Sequence, residues 1–500
     1  MTGAHREIER KFRVTGGFTL PDLASVPGVA STEAFPAFSM TNEYYDTADL
    51  RLFRWGITLR RRQGGPDEGW HLKLPVAGHG EGVRDEIRAP LSEDLPADLA
   101  RIVTPFARGA RLEHVAGLRT YRTPMILRDG TGAPRIEIVD DRVEVVAGTS
   151  FREIEAEAIP DPDGAIDEAL LSRVSEALLA AGAVPGTMSK AGAALGPRAA
   201  VPAEIEDLPW PSAAEPAGDV VRAYLAQHAR RLLLADLDLR RDLPDAVHQM
   251  RVSARRLRSG LRTFGPLIDR EWADALRREL GWMASGLGAA RDTEVLRERL
   301  DDHAARLDHD DAARARSIID QALDRRMAAA LGEVAGVVDS ARYIALLEDL
   351  VDGVRRLPLT GRATESAAEA LPPLVAKSFR RLERRADALD LATPGPDWHE
   401  ARIAAKRARY AADAVTPVLG HDMARLAARL ADVTEVLGSH QDAQVAREAL
   451  RGLSPQADPT EAFALGRLLA VEEAAEVADR VAFLDLWPRV RRAAHRAGIA

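Results

Sequence analysis

The spacing of apolar residues changes once along this chain, and that change limits what the chain can fold into. From Glu7 to about Glu157, short stretches alternate in character and are separated by Gly, Pro and Asp. A period of two belongs to β-strands. The stretches cover residues 7–14, 57–63, 70–74, 82–88, 136–146 and 151–158, with a helical segment expected over 167–181. From Val220 onward the period is that of helices, in long segments rich in Ala, Leu, Arg and Glu. Between the two patterns lie Pro197, Pro202, Pro209, Pro211 and Pro216, in a stretch that reads as a linker. The expected organisation is a β-rich domain over residues 1–200, a Pro/Ala-rich linker over 201–217 and an all-helical domain over 218–500.

The helical half repeats itself. The segment from His248 to Arg258 returns as His399 to Arg409, an offset of 151 residues. The segment from Leu287 to Asp292 returns as Leu437 to Asp442, an offset of 150. Two motifs in the same order at nearly the same spacing point to a duplicated helical bundle.

Composition removes several function classes. With no cysteine in 500 residues, disulfides, iron–sulfur clusters and thiolate metal sites are excluded. No apolar run reaches the roughly 20 residues a membrane helix needs, and the charged start, His5-Arg6-Glu7, is unlike a signal peptide. The expectation is a cytoplasmic protein without a membrane partner. A net charge of −9 works against general nucleic-acid binding, so any polyanion site has to be a local concentration of Lys and Arg.

The β-rich half carries such concentrations. Strand parity puts Glu7, Glu9 and Lys11 on one face, as it does Arg60 with Arg62, His71 with Lys73, and Arg84 with Glu86 and Arg88. It also aligns Glu137 with Asp141, and Glu153 with Glu155 and Glu157. Leu59, Leu72, Leu74, Ile87, Ile136, Ile138 and Ile154 fall on the opposite faces, free to bury. A solvated sheet face would carry mixed charges, but here acids gather on the first and last strands and bases on the middle ones. If the sheet closes, the charged side becomes a lumen holding oxygen ligands for a hard divalent ion and cations for phosphate oxygens.

These residues resemble a known family. Glu7-Ile8-Glu9-Arg10-Lys11 is similar to the ExExK signature of the CYTH, or triphosphate tunnel metalloenzyme, superfamily. The likeness continues through Tyr44 to Thr47, Thr58 to Arg62, His71 to Leu74, Arg84 to Glu86, Glu137 to Asp141, Glu153 to Glu157 and Ser189-Lys190. It implies an antiparallel eight-stranded tunnel acting on triphosphates with Mg²⁺ or Mn²⁺. It also implies metal ligands at Glu7, Glu9, Glu153, Glu155 and Asp141, with Asp140 one register step away. The implied phosphate cradle is Lys11, Arg60, Arg62, Lys73, Arg84, Arg122 and Lys190, with Arg119 close to Arg122 in register. Catalysis would rest on Glu7, Glu9, Lys11, Lys73 and Lys190. No Ser–His–Asp or Cys nucleophile is available, so water would attack phosphorus directly.

In the helical half, His248, Arg251, Arg255, Arg258 and Arg262 share one arc of a helix, against Met250, Ala254, Leu257, Leu261 and Phe264. The repeat sets His399, Arg402, Lys406 and Arg409 against Ala401, Ala405, Ala408, Ala412 and Val415. Neither file is interleaved with acids, so neighbours repel and an extended anion would neutralise them. This half resembles the CHAD domain, which implies two four-helix bundles binding inorganic polyphosphate through those residues, with Lys377 and Arg381 as further candidates. The fold class expected is therefore α+β multidomain, an antiparallel β tunnel followed by a duplicated four-helix bundle. The expected activity is hydrolysis of inorganic triphosphate to diphosphate and phosphate, with polyphosphate held by the helices. An adenylate cyclase or thiamine-triphosphatase of the same tunnel, and a non-catalytic polyphosphate scaffold, are the alternatives.

Overall fold

A computed structural model of the chain describes residues 5–76, 82–146, 148–186 and 188–499. The chain divides into two compact units, Met1–Glu204 and Ile205–Ala500.

The first unit is built on β1 (His5–Val14), β2 (Ser31–Ala34), β3 (Phe38–Asp46), β4 (Thr58–Gln63), β5 (Gly69–Pro75), β6 (Val83–Ala89), β7 (Glu113–Arg128), β8 (Pro134–Val145), β9 (Ser150–Ala158) and β10 (Val184–Pro185). Eight of these pair in the order β1-β6-β5-β4-β3-β7-β8-β9, and β9 pairs back onto β1. Every neighbour is antiparallel, so the sheet is a closed barrel; β2 is added to β7 and β10 to β1. Closure leaves the eight barrel strands without free edges.

The barrel is apolar outside and charged inside. Leu59, Leu72, Leu74, Ile87, Ile136, Ile138 and Ile154 are all buried, on the faces that strand parity gave them. Phe12, Leu127, Ile136, Ile138 and Ile154 pack beneath Leu170, Leu171, Val174 and Leu178 of the helix Glu168–Ala180. Asp167 starts that helix by accepting the Leu170 N–H at 2.8 Å. The short helix Lys190–Leu195 covers another side, where Ala191, Ala194 and Leu195 meet Tyr44, Leu118 and Val143. Helices bury the outward apolar faces, and the inward faces are left for charge.

In the second unit the helices are long. Ala246–Thr263 carries the first basic file and Gly395–Leu419 the second, and the two pack together. The apolar sides expected for them are buried: Met250, Ala254, Leu257, Leu261 and Phe264 in one, and Ala401, Ala405, Ala408, Ala412 and Val415 in the other. Ala217–Arg240 packs beside the first and Pro372–Ala386 beside the second. Farther along, Leu296 and Leu300 of Gly288–Ala304, with Ile319 and Leu323 of His309–Val338, form a core with Leu450 of His421–Leu453 and Leu465 and Leu468 of Pro459–Arg496. No described helix is long and apolar enough to cross a membrane.

Candidate functional site

The barrel encloses a cavity of about 290 Å³, lined chiefly by ionisable side chains from the strands and by Ser189 and Lys190. Glu7, Glu9, Lys11, Arg60, Arg62, Lys73, Arg122, Glu155 and Lys190 all reach it. Their cations and carboxylates hold one another. Lys73 Nζ lies 2.6 Å from Glu7 Oε2, and Lys11 Nζ 2.8 Å from Glu9 Oε1 and 3.6 Å from Glu155 Oε1. Lys190 Nζ sits 2.6 Å from Asp141, 3.1 Å from Glu153 and 2.8 Å from Glu155. It is aimed inward by the first turn of its helix, which Ser189 caps through the Gly192 N–H at 3.0 Å.

Register settles two positions that parity left open. Arg122 faces Asp141 across β7 and β8 and grips it with two hydrogen bonds, at 2.8 and 2.7 Å. Arg119 is exposed. Asp140 points the other way and holds Arg152.

Three expected site residues stand apart from the cavity surface. Arg84 does not line the cavity; its guanidinium donates to the Gly56 carbonyl just before β4. Asp141 and Glu153 are fully buried behind the wall, bound by Lys190 rather than facing the space. The sequence reading in turn omitted Asp67, which lines the cavity and pairs with Arg62 from the β4–β5 turn. Nothing in a loop aspartate's spacing marks it out. Glu86 was placed by parity but given no role. It is an inner anchor, 2.9 Å from His71 Nδ1 and 3.5 Å from Arg60. His71 Nε2 is 2.8 Å from the Asp67 carbonyl.

The carboxylates fall into two electrostatic classes. Burial opposes ionisation of all of them, and neighbours decide which way each goes. At Glu9, Lys11 and Lys73 outweigh burial and lower the pKa. At Glu155, Lys190, Lys11 and Arg122 do the same more strongly. The His71 hydrogen bond, Lys73 and Arg60 hold Glu86 well below the usual range despite burial. Burial wins at Glu7, helped by Glu86 and Glu9, and at Glu153, helped by Glu155. Glu157 is pushed up to about 8 by burial and Glu7.

A hard divalent ion takes oxygen ligands, and the cavity's donor set, Glu7, Glu9 and Glu155, is carboxylate only. Among the described residues no three His, Cys, Asp or Glu are arranged to hold a metal ion. Each carboxylate is turned to an ammonium or guanidinium instead. The chemistry of the donor set therefore fits such an ion once those cations are drawn elsewhere.

In the helical unit the basic files do not stay as uniform rows. Arg255 acts from the first helix on Arg402 and Lys406 of the second: burial first, then these like charges, lower both pKa values. Arg255 also lies 5.5 Å from the Tyr410 ring centroid. The acids missing within each file come from other helices. Asp292 is 3.4 Å from Arg251, and Asp442, its counterpart in the repeat, acts on Arg402. His248 feels Arg255 and Arg291, and His399 is hydrogen-bonded to Gln441. Arg258 and Arg262 gather with Arg277, Arg381 and Arg407; burial and these cations bring Arg262 down to about 10. Arg409 leaves the file, donating to Thr434 Oγ1 at 2.8 Å. Lys377 is exposed on Pro372–Ala386.

Residues 5–177 match the CYTH domain family and residues 223–451 the CHAD domain family. Two uncharacterized proteins of Mycobacterium tuberculosis, from strains CDC 1551 and H37Rv, are each 34% identical over 513 residues. Those alignments cover 95% of this chain and 94% of each relative. The chain belongs to the CYTH–CHAD family. Among solved structures, PptA from Streptomyces chartreusis is 29% identical, with a TM-score of 0.48, covering 55% of this chain and 99% of its own. The CHAD domain from Ricinus communis is 26% identical, with a TM-score of 0.44, covering 57% of this chain and 96% of its own. In this CYTH–CHAD protein the barrel is the CYTH part, and the helices from Ile205 onward contain the CHAD part.

Proposed function

We propose that the CYTH tunnel hydrolyses inorganic triphosphate and that the CHAD helices bind inorganic polyphosphate. The observation that carries the first reading is a cavity inside a closed barrel in which Lys11, Lys73, Lys190, Arg60, Arg62 and Arg122 are paired with the protein's own carboxylates. Buried charges are tolerated when paired, and an incoming anion can take over the cationic side of each pair. A triphosphate doing so would free Glu7, Glu9 and Glu155, which would hold Mg²⁺ or Mn²⁺. That ion would supply charge neutralisation on the transferred phosphoryl group and activation of water. The six cations bind and orient the phosphate chain, and the enclosing strands limit access of bulk water. The cavity wall is mostly charge; apart from Tyr44, His5 and Ala158, Ile159 and Pro160 at the end of β9, little of it would suit a nucleobase or thiazole ring.

Phosphate release from triphosphate, ATP and thiamine triphosphate, each with Mg²⁺ and with chelator, tests this reading. Triphosphate should be turned over fastest, and chelation should remove most of the rate. Equal turnover of ATP, or cyclic AMP as main product, would make the tunnel a nucleotide enzyme. An absence of turnover with all three would leave a scaffold.

The polyphosphate reading rests on the meeting of Arg251, Arg255, Arg402 and Lys406 from two repeats. It makes a pH prediction. Burial, with Arg402 and Arg255, depresses Lys406 to about 8. Below that pH the ammonium attracts phosphate, and above it the neutral amine does not, so affinity should fall as pH rises from about 7 to about 10. Lys406→Arg keeps its charge throughout and should flatten the decline. The same slope in wild type and Lys406→Arg would remove Lys406 from the site.

A further inference from the structure

Arg409, having left the basic file, helps to line a second cavity. A space of about 480 Å³, partly open to solvent, is bordered by Ala217–Arg240, Ala246–Thr263, Gly395–Leu419 and His421–Leu453, with Trp210 on its wall. Arg231, Arg256 and Arg409 face it against a single acid, Asp413. Arg256 is paired with Asp413 at 2.6 Å, and Arg409 lies 3.7 Å from the same carboxylate. Arg231 is exposed, and no described residue forms an ion pair with it. The next turn back presents His228, which is only 5% exposed, lines the cavity and has no hydrogen-bond partner for its Nδ1. Burial, with Arg231 and Arg256, lowers its pKa to about 3, so the ring is neutral and offers one donor and one acceptor. A buried polar nitrogen without a partner is costly, and a ligand or water can satisfy it. Ala424, Ala427, Ala428 and Ala431 of His421–Leu453 add small side chains to the wall, with Pro417.

The duplication shows what is special here. An offset of 151 equates Arg256, Arg409 and Asp413 with Arg407, Arg258 and Arg262. The corner around Arg262 gathers five arginines, with Arg277 and Arg381 added, and its acids, Asp274 and Glu400, act on Arg277 and Arg407 rather than on Arg262. A repeated phosphate chain suits that corner. In the other copy an acid stands where Arg262 would be, and an aromatic ring and an apolar wall are added. Cations, a flat ring and hydrogen-bonding groups of both polarities around one cavity suit an anion that carries a heterocycle.

We propose that this cavity binds a nucleotide, with its phosphates on Arg231, Arg256 and Arg409 and its base against Trp210 and the alanine wall. His228 and Gln227 then meet polar groups of the base or sugar, and Asp413 accepts from a donor that an inorganic phosphate chain lacks.

The test is equilibrium dialysis of ADP and of inorganic diphosphate against the full chain, in wild type, Arg231→Glu and Trp210→Ala. Arg231 is exposed, so its replacement should leave the helical unit intact, which unchanged helical circular dichroism and thermal unfolding of the variant would verify. ADP binding should weaken about tenfold or more in Arg231→Glu, through loss of a charge-assisted contact. It should weaken by about tenfold in Trp210→Ala, through loss of ring stacking. Diphosphate should bind wild type about tenfold more weakly than ADP and be indifferent to Trp210→Ala. Equal binding of ADP and diphosphate would reduce the cavity to a bare phosphate corner. ADP binding untouched by Arg231→Glu, or undetectable at about 1 mM, would overturn the proposal outright.

Discussion

Replacing Glu9 by glutamine should lower kcat/KM for triphosphate by about 10²–10³-fold, the range for loss of one charge-stabilising group in an enclosed site. Glu9 is nearly buried yet held ionised by Lys11 and Lys73. The amide keeps the shape and removes the charge that a hard cation and Lys11 both require. Stability should suffer much less. Lys11 retains Glu155 at 3.6 Å, so the change does not strand a buried ammonium, and the loss should lie below the ~3–5 kcal/mol of a broken buried pair. Glu7→Gln should be milder than Glu9→Gln, because burial raises the pKa of Glu7, whereas Lys11 and Lys73 lower that of Glu9 against burial. Steady-state rates at limiting Mg²⁺, with thermal unfolding of each variant, give the comparison. Wild-type rates for Glu9→Gln would refute its place in the site.

Much of the tunnel was legible because strand parity is rigid. One register step moves a side chain to the other face, so Glu7, Glu9 and Lys11 could not share a face with Ile8. The seven apolar partners of that pattern are buried in the fold. Parity does not reveal how far a long side chain reaches, which is why Arg84 ends on the Gly56 carbonyl rather than in the cavity. Nor does it distinguish a carboxylate that faces the space from one behind it, as with Glu155 and Glu153. Two barrel strands were harder to see. β3 reads Phe38-Ser39-Met40-Thr41-Asn42-Glu43-Tyr44-Tyr45-Asp46, with little apolar alternation, and its pairing with β7 shifts register between Tyr44 and Tyr45. β7 is 16 residues long and contains Pro124, which argues against a central strand.

The helical unit was legible for a different reason. Duplication gave each helix face two independent readings, and both apolar seams are buried as the pattern required. Sequence spacing along one helix says nothing of what neighbouring helices bring. Asp292 and Asp442 therefore enter the basic region unannounced, Asp413 reaches from its own helix to Arg256 on the other, and Arg409 turns toward Thr434 instead of following Lys406.

That regrouping sharpens what charge reversal should do to polyphosphate binding. Arg255→Glu and Lys406→Glu should each weaken long-chain binding by about 10²-fold or more, because each removes a cation and adds a repulsive charge in one shared field. The field is shared: Arg255, on Ala246–Thr263, depresses Lys406, on Gly395–Leu419, and those helices pack together. A chain held by both files gains from the second as an already tethered ligand, so short chains should lose less than long ones. Arg409→Glu should cost little by comparison, since Arg409 faces the separate cavity with Arg256 and Arg231. Added salt should weaken wild-type binding steeply and the two reversal variants less, as fewer counterions are displaced. The measurement is polyphosphate affinity and stoichiometry for each variant against chain length. Halved stoichiometry at unchanged affinity in Arg255→Glu or Lys406→Glu would mean two independent sites, one per repeat. A loss in Arg409→Glu equal to that in Lys406→Glu would mean that the file acts as a single row, whatever the folded arrangement of its side chains.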